Sequence, residues 1–268
     1  MDPIGRPLQV DEIENGLETQ RLGKKILYFS ELDSTNIFAR SQAERDATEG
    51  EVVIAERQTE GRGRLGRSWV SPGNVNLYLS VILRPRLAPA HAPQITLMAA
   101  VALAETVASF IPFPPQIKWP NDILVQGKKL AGILTESSCE PGRLLFVILG
   151  IGVNLNFSAE IMPEAIRERA TSIMSLTHKP VSRELFARRL IQSLDRCYGE
   201  LEALGFSAIA PRWEAHFPLR RKKVKIEMGD DVLIGRAAGI DRDGALLLED
   251  DHGSLQRVIA GDVIPLED

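Results

Sequence analysis

The sequence predicts an α/β chain in two parts: a large unit of alternating strands and helices, and behind it a small β-barrel of about 50 residues. Three observations carry this reading. Between residues 25 and 217, apolar runs with β-like alternation, such as Leu77, Leu79, Val81 and Leu83, are interleaved with longer helical patterns. After Trp213 the texture changes to short β-like runs divided by Gly-Asp, Asp-Gly and His-Gly pairs, which puts a boundary near residues 217–221. The length, 268 residues with 44% hydrophobic and 25% charged, suits one large domain plus a small one and excludes disordered, collagen-like and coiled-coil chains. The expected division is a short N-terminal helical segment (1–24), the α/β domain (25–217) and the barrel (218–268).

In chain order, Ile13 and Leu17 stand at i, i+4 spacing with Gly23 beyond them, predicting a short helix over 11–22. An apolar run at 25–29 follows. In Asp33-Ser34-Thr35-Asn36, side-chain oxygens can cap a helix over 37–47. Residues 51–56 and 76–84 read as strands. Residues 94–110 are apolar nearly all round, as in a helix packed on several sides, and proline-rich 111–115 ends it. Runs at 130–135 and 144–155 flank Glu140-Pro141-Gly142-Arg143, which reads as a hairpin. A long amphipathic helix spans 182–204, with Phe186, Leu190, Leu194, Leu201 and Leu204 in or near one stripe. Runs at 224–227, 232–238, 245–248 and 255–259 belong to a barrel of five short strands.

Charge and composition narrow the chemistry. With 32 Lys+Arg against 36 Asp+Glu the formal charge is −4, so a surface that is basic throughout is excluded and any anion binding must be local. Cys139 and Cys197 lie outside any CxxC pattern, and His91, His178, His216 and His252 are scattered. Neither a disulfide framework nor a site of histidine and cysteine metal ligands is indicated, and a reducing, cytoplasmic setting is expected. Residues 1–18 lack the basic start and apolar centre of a signal peptide. The most apolar stretch, 95–113, is broken by Glu105 and Pro112, so no membrane association is expected.

Four stretches carry candidate chemistry. In residues 61–69, Gly61, Gly63 and Gly66 let the backbone approach a ligand, while Arg62, Arg64 and Arg67 place guanidinium forks around an anion. The competing reading is an exposed basic loop; Trp69 at its end can stack on a base or pack as core. In Lys118-Trp119-Pro120-Asn121-Asp122, Pro120 starts a turn from which Lys118, Asn121 and Asp122 project. These serve either as a surface ion pair or as ligands for phosphate, magnesium or an amine. Lys128 and Lys129 precede Ala131 and Gly132, small residues that leave room for a ligand beside lysines that otherwise guard a strand edge. Gly150, Gly152 and Asn154 interrupt an apolar strand, as where something packs closely on the backbone.

Together and in this order, Ser34-Thr35-Asn36, Gln58, the arginine loop, KWPND at 118–122, KLAGI at 129–133 and GIGVN at 150–154 resemble the biotin protein ligase family. The resemblance runs from about residue 17 to 265. It implies a class II synthetase-like catalytic domain, a mixed sheet with helices on one side, and a C-terminal SH3-like barrel. It further implies that ATP, with Mg2+, activates biotin as biotinyl-AMP, and that biotin then passes to a lysine of a biotin carboxyl carrier protein. By position, Lys129 would touch both the biotin carboxylate and the α-phosphate, with Arg62, Arg64, Lys118 and Asp122 as further catalytic candidates. Biotin would be held by Ser34, Thr35, Asn36, Gln58, Gly61, Arg62, Gly63, Arg64, Lys129 and Gly132. ATP would be held by Arg64, Arg67, Trp69, Lys118, Asn121 and Asn154, with Asp122 as the metal candidate. Arg212 matches a family position of unassigned role.

Leu65 stands where some members have arginine. Members that also act as repressors carry an N-terminal winged helix-turn-helix, whereas 25 residues precede Ile26, so a monofunctional enzyme without DNA binding is expected, as a monomer or homodimer. Lipoate protein ligase, which shares fold and chemistry, is one alternative; a dithiolane offers almost nothing to hydrogen-bond, and Ser34, Thr35 and Gln58 favour a ureido ring. A nucleic-acid-binding module using the arginine loop and the basic run 220–225 is the other, and the acidic total weighs against it.

Overall fold

The computed structural model describes residues 5–229 and 231–266; residues 1–4 of the expected N-terminal segment, and Asp230 and 267–268 of the expected barrel, lie outside the described residues. Seven strands form the large sheet: β1 (Ile26–Leu32), β2 (Val52–Gln58), β3 (Leu77–Leu83), β4 (Gln116–Lys118), β5 (Asp122–Val125), β6 (Lys128–Glu140) and β7 (Arg143–Val153). Their order is β1-β2-β3-β7-β6-β5-β4, with β1 and β2 parallel and every other pairing antiparallel. The β6–β7 hairpin turns on Pro141-Gly142, as its sequence suggests, with Gly142 at φ +77. The helices are α1 (Val10–Glu14), α2 (Thr35–Ala43), α3 (Pro93–Ala108), α4 (Glu164–Arg167), α5 (Ile173–Thr177), α6 (Arg183–Leu204) and α7 (Ala210–Ala215).

Alternation along the strands decides which face meets which helix. Leu77, Leu79, Val81 and Leu83 of β3 join Val147, Leu149, Ile151 and Val153 of β7 in the main core, which includes α3 and α6. The intervening Val53, Ile82, Phe146 and Ile148 face the other way and pack with Ala39 and Ala43 of α2. This refines the expectation of helices on one side: α2 covers part of the opposite face. The rest of that face carries Gly132, Gly150 and Gly152, with no side chains to fill it.

Two local expectations change. The first helix ends at Glu14, because Asn15 is extended and Gly16 takes φ +84. The segment after it is held by tertiary bonds: the backbone N–H groups of Gln20, Arg21 and Leu22 donate to the Asp195 carboxylate on α6 at 2.7, 2.8 and 2.8 Å. Helix α2 begins at Thr35, and its N-cap residue Ser34 makes no side-chain capping bond. Instead, Gln58 at the end of β2 accepts the Thr35 N–H at 2.9 Å, so the cap comes from a neighbouring strand.

The C-terminal part is a five-stranded antiparallel sheet of β8 (Lys223–Met228), β9 (Asp231–Ile240), β10 (Leu246–Glu249), β11 (Leu255–Val258) and β12 (Asp262–Pro265), in the order β11-β10-β9-β8-β12. This is consistent with an SH3-like unit. Its β9–β10 turn docks beside α3: Gln94 Nε2 donates to the Arg242 carbonyl at 2.9 Å, and Trp119 Nε1 to the Gly244 carbonyl at 3.3 Å. That docking brings β12 to the rim of the large sheet, where Asp262 meets the arginine loop.

Candidate active site

The glycines on the uncovered face form the floor of a cleft. Gly132 on β6 pairs with Gly152 on β7, and the indole of Trp69 lies against both. A Cβ on Gly132 would stand 3.1 Å from Trp69 Cζ3, and one on Gly152 would stand 2.6 Å from Trp69 Nε1. Nearby, a Cβ on Gly150 would fall 2.1 Å from Asn36 Oδ1. Side chains are absent here because an aromatic ring and an amide occupy their places.

The arginine loop is a short pinned excursion rather than a free tail. The Gly63 N–H donates to the Arg67 carbonyl at 2.7 Å and the Trp69 N–H to the Gly61 carbonyl at 2.8 Å. At its tip Leu65 (φ 56) and Gly66 (φ 72) are left-handed, and Leu65, 69% exposed, faces solvent. Outside glycine, that conformation costs about 1–2 kcal/mol, so the surrounding bonds must impose it.

The charged end gathers cations from three elements. Lys129 Nζ lies 2.8 Å from Asp122 Oδ1 and 5.3 Å from the Trp69 ring centroid. Asp122 Oδ1 is buried and accepts no aligned hydrogen bond among the described residues, so this ammonium is its partner. Arg64 donates to Asn121 Oδ1 at 3.1 Å, and burial holds its pKa below the ordinary arginine value. Arg67 is hydrogen-bonded to Asp262. Burial pushes the Asp262 carboxyl up, but the bond from Arg67, with the charges of Arg67, Lys118 and Arg64, holds it below its usual range.

The polar end is built around the start of α2. Gln58 Oε1 accepts from the Thr35 hydroxyl at 3.1 Å, and Gln58 Nε2 donates to Ser71 Oγ at 2.9 Å. Ser80 Oγ lies 2.8 Å from Thr35 Oγ1 and 2.6 Å from Asn36 Oδ1, and Asn36 Nδ2 donates to Glu136 at 2.8 Å. The cleft therefore offers donors and acceptors at one end, a glycine–tryptophan slot in the middle and cations at the other. This suits an elongated molecule with a polar ring and an anionic tail.

Of the residues singled out in the sequence, Ser34, Thr35, Asn36, Gln58, Arg62, Gly63, Arg64, Arg67, Trp69, Asn121, Asp122, Lys129 and Gly132 line this one cleft. Three do not. Gly61 is at the loop base, where a Cβ would meet the Trp69 carbonyl at 2.4 Å. Lys118 adds its charge to those around Asp262. Asn154 is buried, donating to the Thr171 carbonyl at 3.0 Å. Arg212 is remote: it bonds Glu105 on α3, at 2.8 Å through Nε, and Glu200 on α6, fastening α7 to both. Sequence reading missed Asp262 and Glu136. Asp262 is 195 positions from Arg67, and no local pattern announces such a contact; Glu136 lies on β6, in register with the KLAGI run.

Known proteins resemble this chain over most of its length. Residues 28–154 match the Biotin/lipoate A/B protein ligase family, and residues 222–264 match the Biotin protein ligase C terminal domain. The bifunctional ligase/repressor BirA of Bacillus subtilis is 34% identical over 256 residues, covering 96% of this chain and 78% of that protein. The biotin–[acetyl-CoA-carboxylase] ligase of Mycobacterium tuberculosis is 35% identical over 270 residues, covering 94% of this chain and 95% of that one. The solved biotin protein ligase of Aquifex aeolicus in complex with biotin and ATP is 27% identical with a TM-score of 0.77, over 91% of this chain and 100% of the other. Both the cleft-bearing sheet and the C-terminal sheet thus have counterparts along nearly the whole chain, and the chain belongs to the biotin protein ligase family.

Proposed function

We propose that this protein is an ATP-dependent biotin protein ligase. The carboxylate of biotin attacks the α-phosphate of ATP, forming biotinyl-5'-AMP and releasing pyrophosphate. The ε-amine of a lysine on a biotin carboxyl carrier protein then attacks the acyl carbon, giving an amide and releasing AMP. The observation that carries the reading is the polarity of the cleft: hydrogen-bonding groups of Ser34, Thr35 and Gln58 at one end, and Lys129 and Arg64 at the other.

The physical problem of the first step is bringing a carboxylate to a triphosphate. Fixed positive charge in a partly water-excluded cleft offsets that repulsion and stabilises the charge developing at phosphorus. Lys129 is the group best situated to do so, exchanging its contact with Asp122 for the biotin carboxylate and α-phosphate. Asp122, released from Lys129, is then available to accept the proton lost by the acceptor amine. Arg62 and Arg64 close over the intermediate and slow its loss to water. Trp69 and Asn121 would contact the nucleotide, with Arg67 and Lys118 near its phosphates, while Asn154 supports the floor from below through its bond to Thr171. No group of three or more His, Cys, Asp or Glu among the described residues could hold a metal alone. Magnesium would therefore be held mainly by phosphate oxygens and water, with Asp122 as its protein ligand, the usual arrangement for this ion.

Lipoate is disfavoured because its ring offers almost nothing to hydrogen-bond to the polar groups of Ser34, Thr35 and Gln58 that line the cleft, and a site built to pair such groups rejects a ligand lacking them. Among the described residues no helix is long and apolar enough to cross a membrane. The test is biotin-dependent exchange of labelled pyrophosphate into ATP, with lipoate in parallel, followed by transfer to a carrier domain. Exchange with biotin alone is expected; exchange with lipoate alone, or with neither, overturns the proposal. Light scattering with and without both substrates reports the oligomeric state.

A further inference from the structure

The hydrogen bonds at the polar end form an almost closed ring with Glu136 as its anchor. From Glu136 the ring runs to Asn36, Ser80, Thr35, Gln58 and Ser71, whose hydroxyl donates to the Trp69 carbonyl at 3.0 Å. Trp69 ends the arginine loop. At the other end Arg62, near the start of the same loop, brings Nη1 to 4.0 Å from Glu136 Oε1. A single carboxylate on β6 thus bonds the start of α2 and faces Arg62 of the loop.

An ionised carboxylate only accepts hydrogen bonds, whereas a side-chain amide can face either way. Glu136, with the Leu134 carbonyl 3.3 Å from Nδ2, therefore turns Asn36 so that Nδ2 faces these two acceptors and Oδ1 faces Ser80. The Ser80 proton is thereby committed to Asn36, and Ser80 Oγ faces Thr35 Oγ1 as an acceptor. Gln58 is set separately, because its Oε1 accepts the Thr35 backbone N–H and leaves Nε2 toward Ser71. The acceptor-only group thus sets Asn36 and Ser80, and the backbone sets Gln58. The Arg62 contact is long and half-exposed, with side-chain exposures of 50% and 28%, so it contributes little in the free protein. Closure of the loop over a ligand would exclude water from the pair and strengthen it.

We propose that Glu136 is a positioning residue for this reaction, resting on the reading above: it holds the Asn36 amide, and through it the Ser80 hydroxyl, in one orientation at the polar end where the ureido ring sits, and through Arg62 it latches the arginine loop over biotinyl-AMP. The two roles separate by substitution. Glu136→Gln retains an oxygen that can accept from Asn36 but removes the charge that attracts Arg62; Glu136→Ala removes both.

The measurements are the biotin KM and kcat in pyrophosphate exchange, and the release rate of preformed biotinyl-AMP from single-turnover mixtures. For Glu136→Gln, release should accelerate on the order of fivefold with the biotin KM within about twofold of wild type. For Glu136→Ala, the biotin KM should also rise on the order of tenfold with a smaller change in kcat. The double variant Glu136→Gln/Arg62→Ala should release the intermediate no faster than Arg62→Ala alone. Unchanged release in Glu136→Gln, or additive effects in the double variant, overturns the latch; an unchanged biotin KM in Glu136→Ala overturns the polarity role. Thermal unfolding checks each variant, and if the alanine form does not fold, Glu136→Asp replaces it, with a raised biotin KM expected and an unchanged one overturning the polarity role. Absence of biotin-dependent exchange in the wild type overturns the proposed function itself, a result distinct from any of these.

Discussion

The sharpest test of the site is Lys129→Ala. In the unliganded cleft the Lys129 ammonium lies 2.8 Å from Asp122 Oδ1, and the proposed chemistry replaces that carboxylate with two anions. Unit charges about 4 Å apart at an effective dielectric of about 20 repel by about 4 kcal/mol, and an intervening cation cancels a comparable amount. Removing one preorganised group of this kind typically costs about 3–4 kcal/mol in the transition state, which is about a 100- to 1,000-fold loss of rate. Stability should change less, by about 1 kcal/mol, because the pair is partly exposed. The assay is biotin-dependent pyrophosphate exchange, with Lys128→Ala as control: Lys128 is the adjacent, exposed lysine and should leave exchange intact. Lys129→Arg keeps the charge but not its point-like geometry and should recover only part of the rate. If Lys129→Ala exchanges within about threefold of wild type, or Lys128→Ala loses as much, the electrostatic argument built on repulsion between carboxylate and phosphate fails.

Three further outcomes follow from the same geometry. Gly152→Ala would set a Cβ 2.6 Å from Trp69 Nε1, so the indole must leave the floor; a changed Trp69 emission and weaker adenylate formation are expected, and wild-type values for both would refute the packing. Asp262→Asn should release Arg67 and speed tryptic cleavage in the 61–69 loop, protection returning with biotin and ATP; an unchanged cleavage rate would show that the Asp262 contact does not restrain the loop. Burial pushes the Glu105 carboxyl up, but hydrogen bonds from Arg212 and Arg196 outweigh it and hold the pKa below the ordinary value. The stability it contributes is thus fully present above the ordinary carboxylate range and is lost as pH falls through the lower folded value. Glu105→Gln should flatten that acid limb in a series of thermal midpoints taken from neutral pH down to about pH 3; an unaltered slope would count against the network.

Much of the fold was legible because its causes are local. The alternation of Leu77, Leu79, Val81 and Leu83 requires a one-sided strand, the all-round apolar α3 requires burial, and Pro141-Gly142 requires a tight turn. What was not legible depended on partners distant in sequence. The first helix, expected over 11–22, stops at Glu14, and residues 20–22 of that span instead donate their backbone N–H groups to Asp195 on α6. The expected cap of α2 came instead from Gln58, at the far end of the next strand and 23 residues along the chain from Thr35.

The same division explains which site residues the sequence revealed. A backbone that must admit a ring or an amide within 2.1–3.1 Å of where a Cβ would stand favours glycine, so Gly132, Gly150 and Gly152 mark the cleft in the sequence. Charged groups have no such local necessity: a carboxylate that balances Arg67 or orients Asn36 works equally well from any element that reaches it. Asp262 arrives from the C-terminal sheet only because the β9–β10 turn is bonded to α3 and Trp119. The arginine loop is therefore restrained at Arg67 by one domain and approached at Arg62 by Glu136 of the other. Closing it over a reactive adenylate requires both contacts to be compatible with one loop conformation, which gives the C-terminal sheet a direct physical stake in the chemistry of the cleft.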